Sequence, residues 1–105
     1  MRLADNDLSP LQWQEIKTAW GGCAYCGRTD TVLQRDCIQP LSVGGRYTEL
    51  NVVPACRSCN ASKCNTEVTS WMRRKGLDEE LFLRRLVSIR ASRVVVPDPP
   101  ADALQ

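Results

Sequence analysis

Apolar residues recur with helical spacing near the start of the chain. Trp13, Ile16 and Trp20 fall on one face of a helix and predict a buried stripe. Gly21 and Gly22 follow at once and end the helix. The residues before Trp13 are typical of a helix start. Ser9 suits the N-cap, Pro10 suits the first helical position, and Gln12 completes a capping box.

The pattern changes to extended-chain formers in the middle of the chain and returns to helical spacing later. The predicted elements are strands over 32–39 and 50–54 around a loop at 42–45, a helix over 56–63, a segment over 67–75 that continues it or starts anew, and a last helix over about 79–90. The last helix offers four apolar side chains for burial, namely Leu81, Phe82, Leu86 and Ile89. This order predicts a small α+β fold.

The length limits the chain to one small domain. Its 105 residues are 43% hydrophobic and 25% charged, which is typical of a globular protein. We expect a single domain over 1–96 and a disordered, proline-rich tail over 97–105. No apolar run approaches the ~20 residues that cross a bilayer. The charged residues 1–7 do not resemble a signal peptide, so we expect a cytoplasmic protein with no membrane partner.

Six cysteines and no histidine determine which chemistry the chain can carry. The absence of imidazole excludes mixed Cys/His metal sites and nucleophiles that need a histidine base. The pairs Cys23/Cys26 and Cys56/Cys59 supply four thiolates, the closed tetrahedral set that zinc prefers. Such a site leaves no open coordination position, so we expect a structural Zn²⁺. The alternative is that these cysteines pack in the core or form disulfides.

A long, specific motif lies between and around the two cysteine pairs. It reads Asp-x-Ile-x-Pro-Leu-Ser-x-Gly-Gly from Asp36, then Asn-Val-Val-Pro-Ala-Cys-x-x-Cys-Asn-x-x-Lys from Asn51 to Lys63. From about residue 20 to 71 the chain strongly resembles the HNH family of ββα-metal (His-Me finger) endonucleases, in the subgroup with a four-cysteine zinc site. The resemblance implies a ββα-metal core of hairpin plus helix, stapled by that zinc and flanked by N- and C-terminal helices.

The resemblance implies metal-dependent hydrolysis of DNA phosphodiester bonds. Asp36 and Asn60 occupy the positions of ligands to the catalytic divalent metal, which would be Mg²⁺, Mn²⁺, Ni²⁺ or Zn²⁺. Asn51 occupies the position that braces the hairpin and orients the general base. The general-base position itself holds Cys37 in place of the family's histidine, and a thiol is a poor replacement for imidazole. The alternative function is a catalytically inactive module that binds nucleic acid or a protein.

A second unusual cysteine, Cys64, follows the proposed ligand Asn60 by four residues, where the subgroup often has glycine. On a continuous helix the two side chains would share one face. Three interpretations stay open. Cys64 could join Asp36 and Asn60 as a ligand for a softer ion, pair with Cys37 in a disulfide or thiol switch, or be an ordinary thiol, as could Cys37.

Basic residues concentrate in the predicted C-terminal helices over 67–93. Between residues 73 and 93 the formal charge is +4, whereas the whole chain carries +2. A charge run usually marks a solvated helix face, but beside a nuclease-like core it favours contacts to DNA phosphates. The candidate contacts are Lys63, Arg73, Arg74, Lys75, Arg84 and Arg85. The family resemblance implies DNA as the partner, in a bacterial cell or a phage-infected host, with a protein partner as a further possibility.

Overall fold

The computed structural model describes residues 8–40, 44–46 and 48–93. Its elements are α1 (Pro10–Trp20), β1 (Leu33–Cys37), β2 (Val52–Cys56), α2 (Arg57–Lys63), α3 (Val68–Lys75) and α4 (Glu79–Arg93). The predicted α+β class, with a hairpin followed by a helix and flanked by further helices, is confirmed. The predicted tail at 97–105 and residues 42–43 of the predicted loop at 42–45 lie outside the described residues.

Helix α1 has the ends that its sequence predicts. The Gln12 N–H donates to Ser9 Oγ at 3.0 Å, and the Ser9 N–H donates to Gln12 Oε1 at 2.9 Å, which completes the capping box. Gly21 ends the helix in the left-handed conformation at φ 72°. The predicted apolar stripe is buried in the core.

The two strands pair antiparallel, with Leu33 opposite Cys56 and Cys37 opposite Val52. Strand β1 is shorter than the predicted 32–39, and β2 lies two residues beyond the predicted 50–54. The shift of β2 has a local cause, because the Asn51 N–H donates to the Thr48 carbonyl at 3.0 Å and closes a turn there. The strand therefore starts only after this turn and runs on to Cys56.

Helices cover both faces of the hairpin. Arg35 of β1 lies over the ring of Trp13 in α1, whereas its neighbours Gln34 and Asp36 contact α2. Successive strand residues point to opposite faces, so α1 and α2 lie on opposite sides of the sheet. All five residues of β2 are buried for this reason.

The segment after α2 starts a separate helix. Glu67 is the N-cap of α3, and its carboxylate accepts from the Thr69 and Ser70 backbone N–H groups at 3.0 Å each. These hydrogen bonds, that of the Thr69 N–H foremost, lower the pKa of Glu67 to about 2. Of the two predicted alternatives for 67–75, the independent helix is therefore correct.

Three aromatic contacts join the helices to one another and to the first cysteine turn. Phe82 of α4 stacks on Trp20 with ring centroids 5.6 Å apart. Tyr25, between the first two cysteines, meets the Trp71 ring edge-on at 5.2 Å and the Phe82 ring at 5.3 Å. Aromatic pairs in such geometries contribute about 0.5–1.5 kcal/mol beyond their buried area. The core thus centres on Tyr25.

Helix α4 is longer than predicted and buries fewer of its apolar residues. Phe82 and Leu86 are buried and Ile89 is half-buried, but the prediction for Leu81 is wrong, since 49% of it is exposed. Adjacent helix positions differ by about 100°, so Leu81 points away from the face that Phe82 buries.

Cys64 interrupts the predicted helical spacing, since α2 ends at Lys63 and Cys64 is its C-cap at φ 48° and ψ −123°. A non-glycine residue in such a conformation costs on the order of 1–3 kcal/mol.

We expect Cys64→Gly to stabilise the fold by about 1 kcal/mol after the entropy cost of glycine. Urea unfolding measures this gain. Cys64→Ala keeps the Cβ and is the control, so an equal gain in both variants would contradict strain as the cause.

Candidate functional site

Four cysteine sulfurs gather at one point of the fold. The Sγ atoms of Cys23, Cys26, Cys56 and Cys59 all lie within 4.8 Å of one another. The Cys26 and Cys56 sulfurs are 3.8 Å apart, and all four thiols are free. Zinc–sulfur bonds of about 2.3 Å in a tetrahedron also give sulfur separations of about 3.8 Å. The cluster can hold a metal ion, and the alternative of disulfides between these residues does not hold.

Tight turns aim the four sulfurs at this point. In the first turn the Cys23 N–H donates to the Arg28 carbonyl and the Gly27 N–H to the Cys23 carbonyl, both at 2.9 Å. Gly27 adopts φ 81°, which a glycine allows without strain. In the second turn Cys56 caps α2, and the Cys59 N–H donates to Cys56 Sγ at 3.4 Å. Backbone geometry thus directs the sulfurs of both pairs to the same point.

Burial differs among the four cysteines. Cys26 is exposed, whereas Cys23, Cys56 and Cys59 are buried in the core. Burial, with the charge of Cys23 as the next cause, raises the pKa of the Cys59 thiol well above its usual range. A metal ion that binds here replaces the proton of this thiol.

A buried ion pair ties β1 to α2. Asp36 is only 7% exposed, and its Oδ2 accepts the Tyr25 hydroxyl and lies 3.2 Å from Lys63 Nζ. Lys63 Nζ also donates to the Cys37 carbonyl at 3.0 Å. Burial and the neighbouring carboxylate raise the pKa of Tyr25, which keeps its hydroxyl protonated as the donor. Tyr25, Asp36 and Lys63 therefore form one network between the cysteine turn, the hairpin and α2.

The position of Lys63 does not fit the expected phosphate contact. Its side chain is 0% exposed. A buried ammonium needs a nearby opposite charge, and removing one partner of such a pair costs about 3–5 kcal/mol. In this arrangement Lys63 holds Asp36 and β1 rather than a ligand at the surface.

Cys37 ends β1 and is half-buried. Burial raises the pKa of its thiol, the charge of Asp36 raises it further, and Lys63 opposes the shift. The thiol therefore remains protonated at neutral pH. A protonated thiol cannot act as the general base that takes a proton from water.

Asn51 fixes the backbone on both sides of the loop that joins the strands. Its Oδ1 accepts from the Gln39 N–H at 2.9 Å. Its Nδ2 donates to the Gln39 carbonyl at 3.0 Å and to the Arg46 carbonyl at 2.9 Å. The amide of Asn51 thus braces the loop end of the hairpin.

Asn60 lies on α2 over the same strand face as Asp36. Its Nδ2 donates to Gln34 Oε1 at 2.8 Å, and Gln34 and Asp36 share that face of β1. Nothing in the motif pointed to Gln34, because this contact depends on how α2 packs on β1. Asn60 and Asp36 are thus neighbours on one side of the hairpin.

Cys64 is the C-cap of α2, and its backbone N–H donates to the Asn60 carbonyl. It lies beyond the end of α2, is exposed, and is a free thiol like Cys37, so the two form no disulfide here. Within the described parts of the chain, the four-cysteine cluster is the one group of three or more Cys, Asp or Glu residues positioned for a metal. The interpretation of Cys64 as a ligand beside Asp36 and Asn60 stays a prediction.

The basic candidates on α3 and α4 differ in what they contact. Arg73 pairs with Glu79 at 2.6 Å, and Arg84 pairs with Glu80 at 2.8 Å. Both arginine side chains are largely exposed. Arg85 points inward, since it donates to the Trp20 carbonyl and lies 5.0 Å from the centre of the Trp20 ring. The remaining two, Arg74 and Lys75, are exposed and have no ion-pair partner in the described ranges.

Comparison with known proteins identifies the family. The HNH endonuclease family model matches residues 23–75, just over half of the chain. The chain therefore belongs to the HNH endonuclease family, as its motif predicted, and this membership supports a nuclease-type function that involves nucleic acid. No curated protein and no solved structure matched the chain. None of the helices in the described ranges has the length and apolar character to cross a membrane.

Proposed function

We propose that this chain is a metal-dependent DNA endonuclease with a low intrinsic rate of phosphodiester hydrolysis. The observation that carries the proposal is the family match over the hairpin and α2, where Asp36 and Asn60 lie on one face of the sheet. Asn51, which braces the hairpin end, is the third family position retained here.

Asp36 and Asn60 would hold the catalytic cation. Carboxylate and amide oxygens are the hard ligands that Mg²⁺ and Mn²⁺ prefer, so the donor chemistry fits. Asn60 Nδ2 is engaged by Gln34, which leaves its Oδ1 available. Asp36 Oδ2 is held by Lys63, so a cation competes with this ammonium for the carboxylate. When bound, the cation stabilises negative charge that develops on the phosphate group.

The low rate follows from the residue at the base position. A positioned general base contributes typically 10²–10⁴-fold to an enzymatic rate. Cys37 carries a thiol, and the chain contains no histidine that could replace it. Asn51 holds the loop backbone in place but has no group that accepts a proton from water.

The four-cysteine cluster binds a structural Zn²⁺ in this proposal. Four sulfurs in a compact, closed set suit zinc, and a closed set leaves no position for substrate. The DNA backbone contacts the exposed basic residues of α3 and α4, foremost Arg74 and Lys75, with Arg73 and Arg84 exchanging their carboxylate partners for phosphate.

Supercoiled-plasmid nicking by the zinc-loaded protein tests this function. We expect slow nicking with Mg²⁺ or Mn²⁺ and none with EDTA. Asn60→Ala should abolish it while leaving the melting temperature nearly unchanged, because only the Gln34 contact is lost. A preparation of the wild type that never nicks with Mg²⁺, Mn²⁺, Ni²⁺ or Zn²⁺ would exclude the nuclease proposal.

A second candidate function is a nucleic-acid-binding module without cleavage. The specific observations that favour it are the thiol at position 37 and the engagement of Asp36 by Lys63 and Tyr25. This candidate predicts salt-dependent DNA binding by a protein that does not nick. The same plasmid assay, run beside a binding measurement, distinguishes the two functions.

A further inference from the structure

A cavity of about 370 Å³ lies at the loop end of the hairpin, beside Asn51. Two arginines from distant parts of the chain line it, Arg46 from the loop and Arg90 from α4. No aspartate or glutamate occurs among the described residues that line the cavity. A concave site with two guanidinium groups and no carboxylate favours an anion.

The position of Arg90 is fixed by a backbone contact. Its Nε donates to the Leu50 carbonyl at 2.7 Å, which seats the end of α4 against the turn before β2. This contact uses one of the five N–H donors of the guanidinium and leaves both Nη groups for a ligand. Arg90 has no ion-pair partner among the described residues.

The loop that carries Arg46 is held in a tight conformation. The Gly45 N–H donates to the Pro40 carbonyl at 2.9 Å, and a Cβ at Gly45 would lie 1.7 Å from the Gln39 carbonyl oxygen. Only glycine permits this approach. Together with the Asn51 hydrogen bond to the Arg46 carbonyl, this packing fixes the backbone from which the Arg46 side chain extends.

We infer that this cavity binds a backbone phosphate of the DNA strand, at a position that flanks the phosphate near Asp36. The inference rests on the proposed action on DNA. It adds Arg46 and Arg90 to the basic residues of α3 and early α4 that are proposed above to contact the DNA backbone.

Fluorescence anisotropy with a labelled DNA duplex, measured over a range of salt concentrations, tests the site without requiring cleavage. We expect Arg90→Gln to weaken binding about tenfold, and to lower the slope of log affinity against log salt by about one. Arg46→Gln should have the same sign of effect and does not touch the Leu50 contact. Arg28→Gln removes an equal charge from an exposed pair with Asp30 and serves as the control.

The possible outcomes separate this inference from the proposed function. Binding by the wild type with equal affinities for Arg90→Gln, Arg46→Gln and Arg28→Gln would overturn the cavity as a phosphate site and leave the proposed function standing. A wild type that binds no DNA would overturn both. If Arg90→Gln lowers the melting temperature, Arg46→Gln and Arg90→Lys test the phosphate site in its place. Arg90→Lys keeps the charge and should retain most of the affinity for DNA.

Discussion

Removal of the metal from the four-cysteine cluster is expected to unfold the domain. Structural zinc sites contribute about 10–16 kcal/mol of apparent binding free energy near neutral pH. A domain of this size has a total stability of about 5–15 kcal/mol, so its core cannot compensate for the loss. The cluster also joins the first cysteine turn to the hairpin and to α2. We expect a strong chelator to abolish the cooperative thermal transition seen by circular dichroism.

Cysteine variants separate metal loss from other effects of chelation. Cys59→Ser removes a buried member of the cluster and should reduce the zinc content, measured by mass spectrometry of metals, together with the melting temperature. Cys64→Ser is the matched control, because Cys64 is exposed and lies outside the cluster. Equal melting temperatures for Cys59→Ser and the wild type would contradict a structural role for the metal.

Local rules were sufficient to predict most of the fold. The capping box of α1, the Cys-x-x-Cys spacing and the apolar stripe each involve residues a few positions apart, so their geometry follows from the sequence nearby. The predicted start of β2 was wrong by two residues because the turn that Asn51 closes on Thr48 takes up the residues before Val52.

The interior of the candidate site depends on tertiary packing that spacing does not reveal. The sequence places Lys63 one turn after Asn60, and only the packing of α2 on β1 shows that it reaches Asp36. Tyr25 gave no signal in the sequence, yet it donates to the same carboxylate and lies between two aromatic rings. The positive φ of Cys64 at the C-cap of α2 likewise has no signal in the residue spacing.

Cys37→His is expected to increase DNA nicking by about 10²–10⁴-fold at neutral pH. The substitution places an imidazole with a pKa near ~6.5 where the chain now has a protonated thiol, and a positioned base contributes a factor of this size. The rate of the variant should rise with pH through the titration of the new imidazole and then level off. Initial rates of plasmid nicking with Mg²⁺ or Mn²⁺, measured between pH 5.5 and 8.5, give both quantities.

Cys37→Ala and the double variant Cys37→His/Asn60→Ala complete this test. Cys37→Ala should nick as slowly as the wild type, because the protonated thiol of Cys37 accepts no proton. The double variant should lose the gain, because the new base acts only beside an intact ligand position. A Cys37→His variant that folds, binds DNA and nicks no faster than the wild type would contradict the claim that the residue at the base position limits the nicking rate. The ion pair between Lys63 and Asp36 would then be the barrier, since it denies the carboxylate to the cation whichever residue stands at position 37.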